Sequence, residues 1–462
     1  MGLQVKCFSQ KPVVGAQDCL TTYGNSGIVW RGIPKRSGFC RDIMSFCNGL
    51  ARKELGGSVE RWQITNAEIY REDRFQSMSG LCFSGDSIEE IISDGDEHDD
   101  ILSLNLHGLA VLPALINGHD SLLASYLPFR GRGFPHMNWL SWDNEVKASQ
   151  EFQDRMLLDV SDLYSLGAYR NLMNGCSLVV DHIPDFVRKP FENSLPVSLL
   201  PEFGIAHSVS SYSLNWGEGI SREYQRARKA GIPFILHIAE GFDPESRNSL
   251  GMLDEFGALG PETVLVHGLS LSEKDLDRIA EAGSTLVWCP VSNEFLYDGT
   301  LPIDAVIDRR IPLCLGTDTS MAGGKGMIDN IHLAREQLGQ HSELLPEIVF
   351  TNPARIFRQK DRGALEAGKK GDVLVVQSRS RDIHQVLEEL SPEKVFLVVR
   401  DGVPIYGEET LEPVFRHCNV NFDRIQVGSS RKLIVAGISG VIESLSAVAG
   451  RDRVSEILPV AL

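Results

Sequence analysis

The chain has 462 residues, 42% of them hydrophobic and 23% charged, enough to bury a full core and to exclude general disorder. Its net charge of −17 excludes sequence-independent nucleic-acid binding, which needs a basic face, and disfavours anionic membrane surfaces. Nine cysteines without a CxxC suggest neither a disulfide framework nor a zinc knuckle, and a reduced, cytoplasmic protein is the expectation.

Residues 1–58 carry little periodicity and are read as an N-terminal extension of unknown structure, with four cysteines at 7, 19, 40 and 47. The segment has no long apolar stretch of the kind a secretory signal needs. From about Arg61 the chain reads as short strands (RWQIT, AEIY and GLCFSG) separated by polar turns. The acidic run at 94–100, DGDEHDD, lacks the spacing of a calcium loop and is read as a solvated loop.

At Gly108 the character changes. LAVLPALINGH is a near-continuous apolar run that ends in polar residues, as expected of a strand covered on both faces in a parallel sheet. Similar runs recur at 177–184, 205–211, 232–241, 263–268, 284–290 and 312–318, with charged helical segments such as SREYQRARKAG between them. This alternation predicts an α/β fold with a parallel sheet. Seven such strands are visible, and a further one belongs in the interval 183–232 if the sheet closes into a barrel of eight. After Asp372 short strands return (DVLVVQ, VFLVVR, VPIYGE), so strand-rich flanks bracket the centre and are expected to complete one β-sandwich.

The polar residues of interest end apolar strands, where barrel enzymes build their sites. They are His119, His237, His267 and Asp318, with Glu240 three residues after His237. Imidazole and carboxylate groups so placed suit a divalent metal, whose charge activates water, while a nearby carboxylate carries the proton.

These motifs resemble those of the amidohydrolase superfamily. LPALINGHD is similar to its first-strand signature, and HIAE to the fifth-strand H-x-x-E of the cytosine deaminase, guanine deaminase and triazine hydrolase branch. LVHG, CPVSN and LGTDTS follow in the family's order, and TNPARIF with LEAGKKGDVLVV resembles the return to a β-domain. The resemblance runs from about 61 to 408. It implies a (β/α)8 TIM-like barrel over 113–362 and a composite β-sandwich from 59–112 and 363–415; the tail over 416–462, which it does not cover, is expected to be partly helical. It also implies a hydrolase acting on a carbon–nitrogen bond, with deamination of a small amine or heterocycle as the expected reaction. One divalent ion is expected, zinc first and iron or manganese as alternatives. His119, His237 and Asp318 would hold it, Glu240 would shuttle the proton, His267 would polarise the scissile centre, and Asn293 would order the site. A small-molecule substrate, no nucleic acid, no membrane and a homo-oligomer complete the expectation.

One position departs from the family pattern. The first strand should carry two histidines two residues apart, and here Ser121 stands in the second place. A hydroxyl is a poor ligand beside imidazole. Three readings stay open: three ligands and more water, substitution by His182 or His136, or loss of the metal and of catalysis. The last would leave a barrel that binds a ligand or partner. The loop YLPFRGRGFPHMNWLSW after the first strand, with Arg130 and Arg132, is a candidate lining for the pocket.

Overall fold

The computed structural model describes residues 60–461 apart from 94, 128 and 132–134. The N-terminal extension with its four cysteines, and Arg132, lie outside the described residues.

Five strands come first: β1 (Trp62–Arg71), β2 (Arg74–Ser84), β3 (Ser87–Ile92), β4 (Leu102–Asn105) and β5 (Ala110–Pro113). Eight short strands form the centre: β6 (Leu115–Asp120), β7 (Cys176–Asp181), β8 (Ser198–Leu199), β9 (Gly204–Ile205), β10 (Phe234–Ile238), β11 (Thr263–His267), β12 (Thr285–Trp288) and β13 (Leu313–Leu315). Five more follow: β14 (Val373–Val376), β15 (Val395–Arg400), β16 (Val403–Glu408), β17 (Phe422–Val427) and β18 (Ser430–Val435).

The central strands pair in parallel as β6-β7-β8 and as β9-β10-β11-β12-β13, with helices between them, giving an α/β TIM barrel. The strand missing from the sequence reading is β8, two residues long, inside the interval 183–232. On the other side β6 meets β13: the His119 carbonyl accepts from the backbone N–H of Thr317 (2.8 Å) and Asp318 (2.9 Å). The interior is filled by alternate residues of successive strands, including Ile116, Leu178, Val180, Ile235, Val264, Val266 and Val287. Their neighbours Val179, Leu236, Leu265 and Leu286 face outward into a second apolar cluster against the helices. Burial on both faces is why these strands read as unbroken apolar runs.

The flanks share one ten-stranded sheet, because β5 pairs antiparallel with β14 (Pro113↔Val373 to Ala110↔Val376). Along β14 the side chains divide by parity: Val373 and Val375 enter a core of the sheet's own, and Leu374 and Val376 join the barrel body. Beyond residue 415, β17 and β18 extend the sheet at its edge, and helices Ile438–Ala449 and Arg451–Ile457 follow. The Tyr169 hydroxyl, on the barrel helix Val160–Met173, donates to the carbonyl of Ala436 at 3.0 Å and anchors this segment. Among the described residues no helix is long and apolar enough to cross a membrane.

Candidate active site

Strand alternation aims most of the site inward. Val180 and His182 share a parity on and after β7, as do Ile205 and His207 after β9, and Ile235 and His237 on β10. Two strand ends break the rule. The pairing of β6 is irregular between Asn117 and Asp120, so His119 joins Ile116 inside while Asp120 turns out. On β11, Val266 already faces inward, and a φ of +77° at His267 brings the next ring to the same side. Asp318 (φ +58°) and Ala239 (φ +49°), the latter just before Glu240, are likewise left-handed non-glycine residues. Such backbone costs free energy and concentrates at functional sites.

The rings of His119, His182, His237 and His267 meet beneath the barrel mouth. Centroids of His119 lie 5.2 Å from His182, 5.0 Å from His237 and 5.9 Å from His267. Nε2 of His119 stands 3.2 Å from Nε2 of His237 and 3.9 Å from Oδ1 of Asp318. Three overlapping groups have potential ligand atoms within 4.8 Å of one another: His119/His182/His237, His119/His267/Asp318 and His237/Glu240/His267. The sequence reading named all six of these residues. His136 is in none of these groups; its backbone N–H donates to the Leu296 carbonyl at 2.8 Å in the loop after β6. Ser121 opens a 3-10 turn at Leu122–Ala124, and the residue beside His119 and His237 is His182.

Fixed tautomers leave lone pairs in the centre. His237 Nδ1–H donates to the His207 carbonyl at 2.8 Å, which leaves Nε2 bare towards His119. His182 Nε2–H donates to the Ile235 carbonyl at 3.2 Å, and its buried Nδ1 has no hydrogen-bond partner, nor has Nδ1 of His119. Burial holds His119 and His237 well below the ordinary histidine range, reinforced by the neighbouring imidazoles, and pushes His182 and His207 down to about 3. These rings are therefore neutral and ready to ligate. Two nitrogens about 2.0–2.1 Å from one tetrahedral ion are about 3.3 Å apart, close to the His119–His237 spacing. The donor set suits a divalent metal ion.

A single helix, Pro290–Tyr297 after β12, holds the acidic side of the site. Ser292 Oγ donates to Asp318 Oδ2 at 2.5 Å, Asn293 Oδ1 accepts from His267 Nδ1 at 2.9 Å, and the Tyr297 hydroxyl donates to Glu240 Oε1 at 2.9 Å. Asn293 and Tyr297 share a helix face at i and i+4. His267 Nε2 then faces Glu240 Oε1 at 3.7 Å. Burial pushes Glu240 up to about 7, with Asp318 acting the same way and His267 and Tyr297 pulling back. A carboxyl so placed can take and release a proton near neutrality.

Sequence reasoning missed Ser292, Tyr297 and the aromatic wall. The rings of Trp139 and Trp216 lie 4.5 Å and 4.8 Å from that of His207. A small cavity of about 20 Å³ lies beside His237 and Glu240, lined also by Trp139, Tyr212 and Ser249. His207 was visible as the polar end of a third apolar run. Arg130, expected near the pocket, lies 4.0 Å from Glu456 of the C-terminal helix instead.

Residues 218–406 match the model of the amidohydrolase family. Similar chains include a 5-methylthioadenosine/S-adenosylhomocysteine deaminase of Haloarcula marismortui, 21% identical over 68% of this chain and 83% of that one. Over this stretch the chain is similar to amidohydrolase-family proteins. Another deaminase of that name, from Pyrococcus furiosus, is 31% identical over 32% of this chain and 35% of its own. An 8-oxoguanine deaminase of Pseudomonas aeruginosa is 30% identical over 32% and 36%. The chain spans about two-fifths of the length of the curated deaminases it matches from Nitratidesulfovibrio vulgaris and Pyrococcus abyssi. Among solved structures, an adenosine deaminase from Xanthomonas campestris with bound zinc superposes with a TM-score of 0.64 at 18% identity, covering 85% of this chain and 98% of that one. The barrel with its extra β-domain is thus the fold of that deaminase.

Proposed function

We propose that this protein is a metal-dependent hydrolase of carbon–nitrogen bonds, of the amidohydrolase superfamily, that deaminates a small amino-substituted heterocycle. The observation that carries the reading is the convergence of three neutral imidazoles, two with unpartnered nitrogens, on a point flanked by Asp318 and Glu240. His119, His237 and Asp318 would hold one divalent ion, zinc first, with His182 in place of the ligand that Ser121 does not provide. Such an ion supplies Lewis-acid activation of water.

The protein's own groups do the rest. Glu240 takes a proton from the attacking water and returns it to the departing nitrogen, a transfer its raised pKa favours near neutrality. His267, steadied by Asn293, presents Nε2 to the reacting centre. Ser292 keeps one Asp318 oxygen engaged and orients the other towards His119. Trp139 and Trp216 pack against His207 and exclude water from the floor of the site. Deaminase relatives support the reaction class.

The test is ammonia release from a panel of aminated purines, pyrimidines and triazines, comparing the wild-type chain with Glu240→Gln. Turnover of a panel member that Glu240→Gln lowers by about 10²-fold or more supports the reading. Binding of a panel member without ammonia release, unchanged in Glu240→Gln, would turn the assignment to a ligand-binding protein.

A further inference from the structure

A second constellation of metal-ligand type lies on the flank sheet, away from the barrel. Leu81 and Phe83 of β2 point into that sheet's own core, so alternation sends Cys82 to the opposite face. There the cross-strand register places Gln63 of β1, Cys82 of β2 and Glu90 of β3 in one row. His98, in the loop between β3 and β4, completes the group. Cys82 Sγ, a Glu90 oxygen and a His98 ring nitrogen lie within 4.8 Å of one another.

The loop is tied down so that the imidazole meets this row. The buried Gln63 side chain clamps the main chain of His98 from both sides: Nε2 donates to its carbonyl at 2.8 Å, and Oε1 accepts from its N–H at 3.2 Å. His98 Nε2 is 2.5 Å from Glu90 Oε1. Cys82 is fully buried, and its thiol donates to Glu89 Oε2 at 3.4 Å. The only cation at the cluster among the described residues is Arg61. It pairs with Glu89 at 2.7 Å, lies 4.0 Å from Glu90 and donates to Cys82 Sγ at 3.8 Å. One guanidinium thus faces two carboxylates, a thiol and an imidazole. This excess of donor atoms is not explained by packing, since a buried cysteine on that face needs no histidine or glutamate beside it.

We propose that Cys82, Glu90 and His98 form a zinc-class cation site, separate from the barrel, that clips the β3–β4 loop to the sheet. The mixed set of one thiolate, one imidazole and one carboxylate selects a borderline-soft ion over calcium or magnesium, and water fills the fourth place. Binding releases the Cys82 proton to solvent, so charge and atoms balance without a further reactant. Arg61 stays with Glu89 and neutralises the carboxylate that does not ligate.

Cobalt(II) is the probe, titrated into the purified full-length chain, because a thiolate ligand gives a charge-transfer band that nitrogen and oxygen ligands do not. The expected result is one saturable band per chain that zinc abolishes. It is absent in Cys82→Ser, weakened in affinity by more than about tenfold in His98→Gln, and unchanged in His119→Ala. His98→Gln, on a half-exposed loop, keeps the test decisive if the buried Cys82→Ser variant folds poorly. No thiolate band in the wild type, or a band that survives both sheet variants, would overturn the site.

Discussion

Replacing Arg170 with methionine removes a guanidinium that is fully buried against the fully buried carboxylate of Asp120. One Arg170 nitrogen donates to both Asp120 oxygens at 2.7 Å. Breaking a buried pair from one side costs about 3–5 kcal/mol. Asp120 keeps the Asn171 amide and the Ser121 N–H, each at 2.7 Å, which places the loss near the lower end, about 3 kcal/mol. With an m-value near 3 kcal/mol/M the urea midpoint falls by about 1 M. The pH dependence has a definite sign. Burial pushes the Asp120 carboxyl up, and Arg170 is the strongest group pulling it down. In Arg170→Met the folded-state pKa therefore rises further above its unfolded value. The destabilisation is full above that pKa and is relieved as the pH falls through it. Urea unfolding at about pH 8 and about pH 5 reads both effects, with Asp120→Asn/Arg170→Met as the control that removes the orphaned charge. A loss under about 1 kcal/mol, or one that neither acid nor the asparagine relieves, would mean that Arg170 does not compensate a buried charge on Asp120. The pair matters to the site because Asp120 bridges to Asp318 across the barrel closure and its carbonyl accepts the His182 N–H at 3.0 Å.

Three further outcomes follow from the site. Tyr297→Phe deletes a hydrogen bond to the charged form of Glu240, worth about 1.5–3 kcal/mol, so the acid limb of kcat/KM moves up by about 1–2 pH units. Because Glu240 works as a base, activity falls as the pH drops through its pKa, and a limb that stays or moves down contradicts its role. Asn293→Ala leaves His267 Nδ1 buried without its acceptor and should lower kcat by about 10- to 100-fold with the fold intact by circular dichroism. Gly316→Ala would set a methyl group 2.7 Å from Cβ of His119 and 2.9 Å from Cγ1 of Val287; stability falls by about 1–3 kcal/mol in urea and bound metal falls with it.

The strand-end histidines were legible because parallel strands buried on both faces leave apolar runs in which a terminal imidazole stands out. His119, His182 and His237 were found this way. A strand of two residues such as β8 carries too little pattern, which is why the eighth strand escaped. Ser292 and Tyr297 act through a helix whose own spacing looks like ordinary packing. In the segment after 415, β18 contains Lys432, which the sequence analysis does not single out. Its buried ammonium donates to the carbonyls of Glu393 and Val395 and pairs with Glu408, a partnership that no local pattern announces. That Ser121 stands where the resembled motif has a second histidine was plain in the sequence. That His182 is the histidine beside His119 and His237 required the three-dimensional barrel.

The most direct test of the central claim is bound transition metal per chain, measured by mass spectrometry on protein carrying Cys82→Ser, which sets aside the sheet site. About one equivalent is expected, lost in His119→Ala and in Asp318→Ala and held more weakly in His182→Ala. No metal after soaking in zinc, iron or manganese, or an equivalent that survives His119→Ala, would contradict that claim.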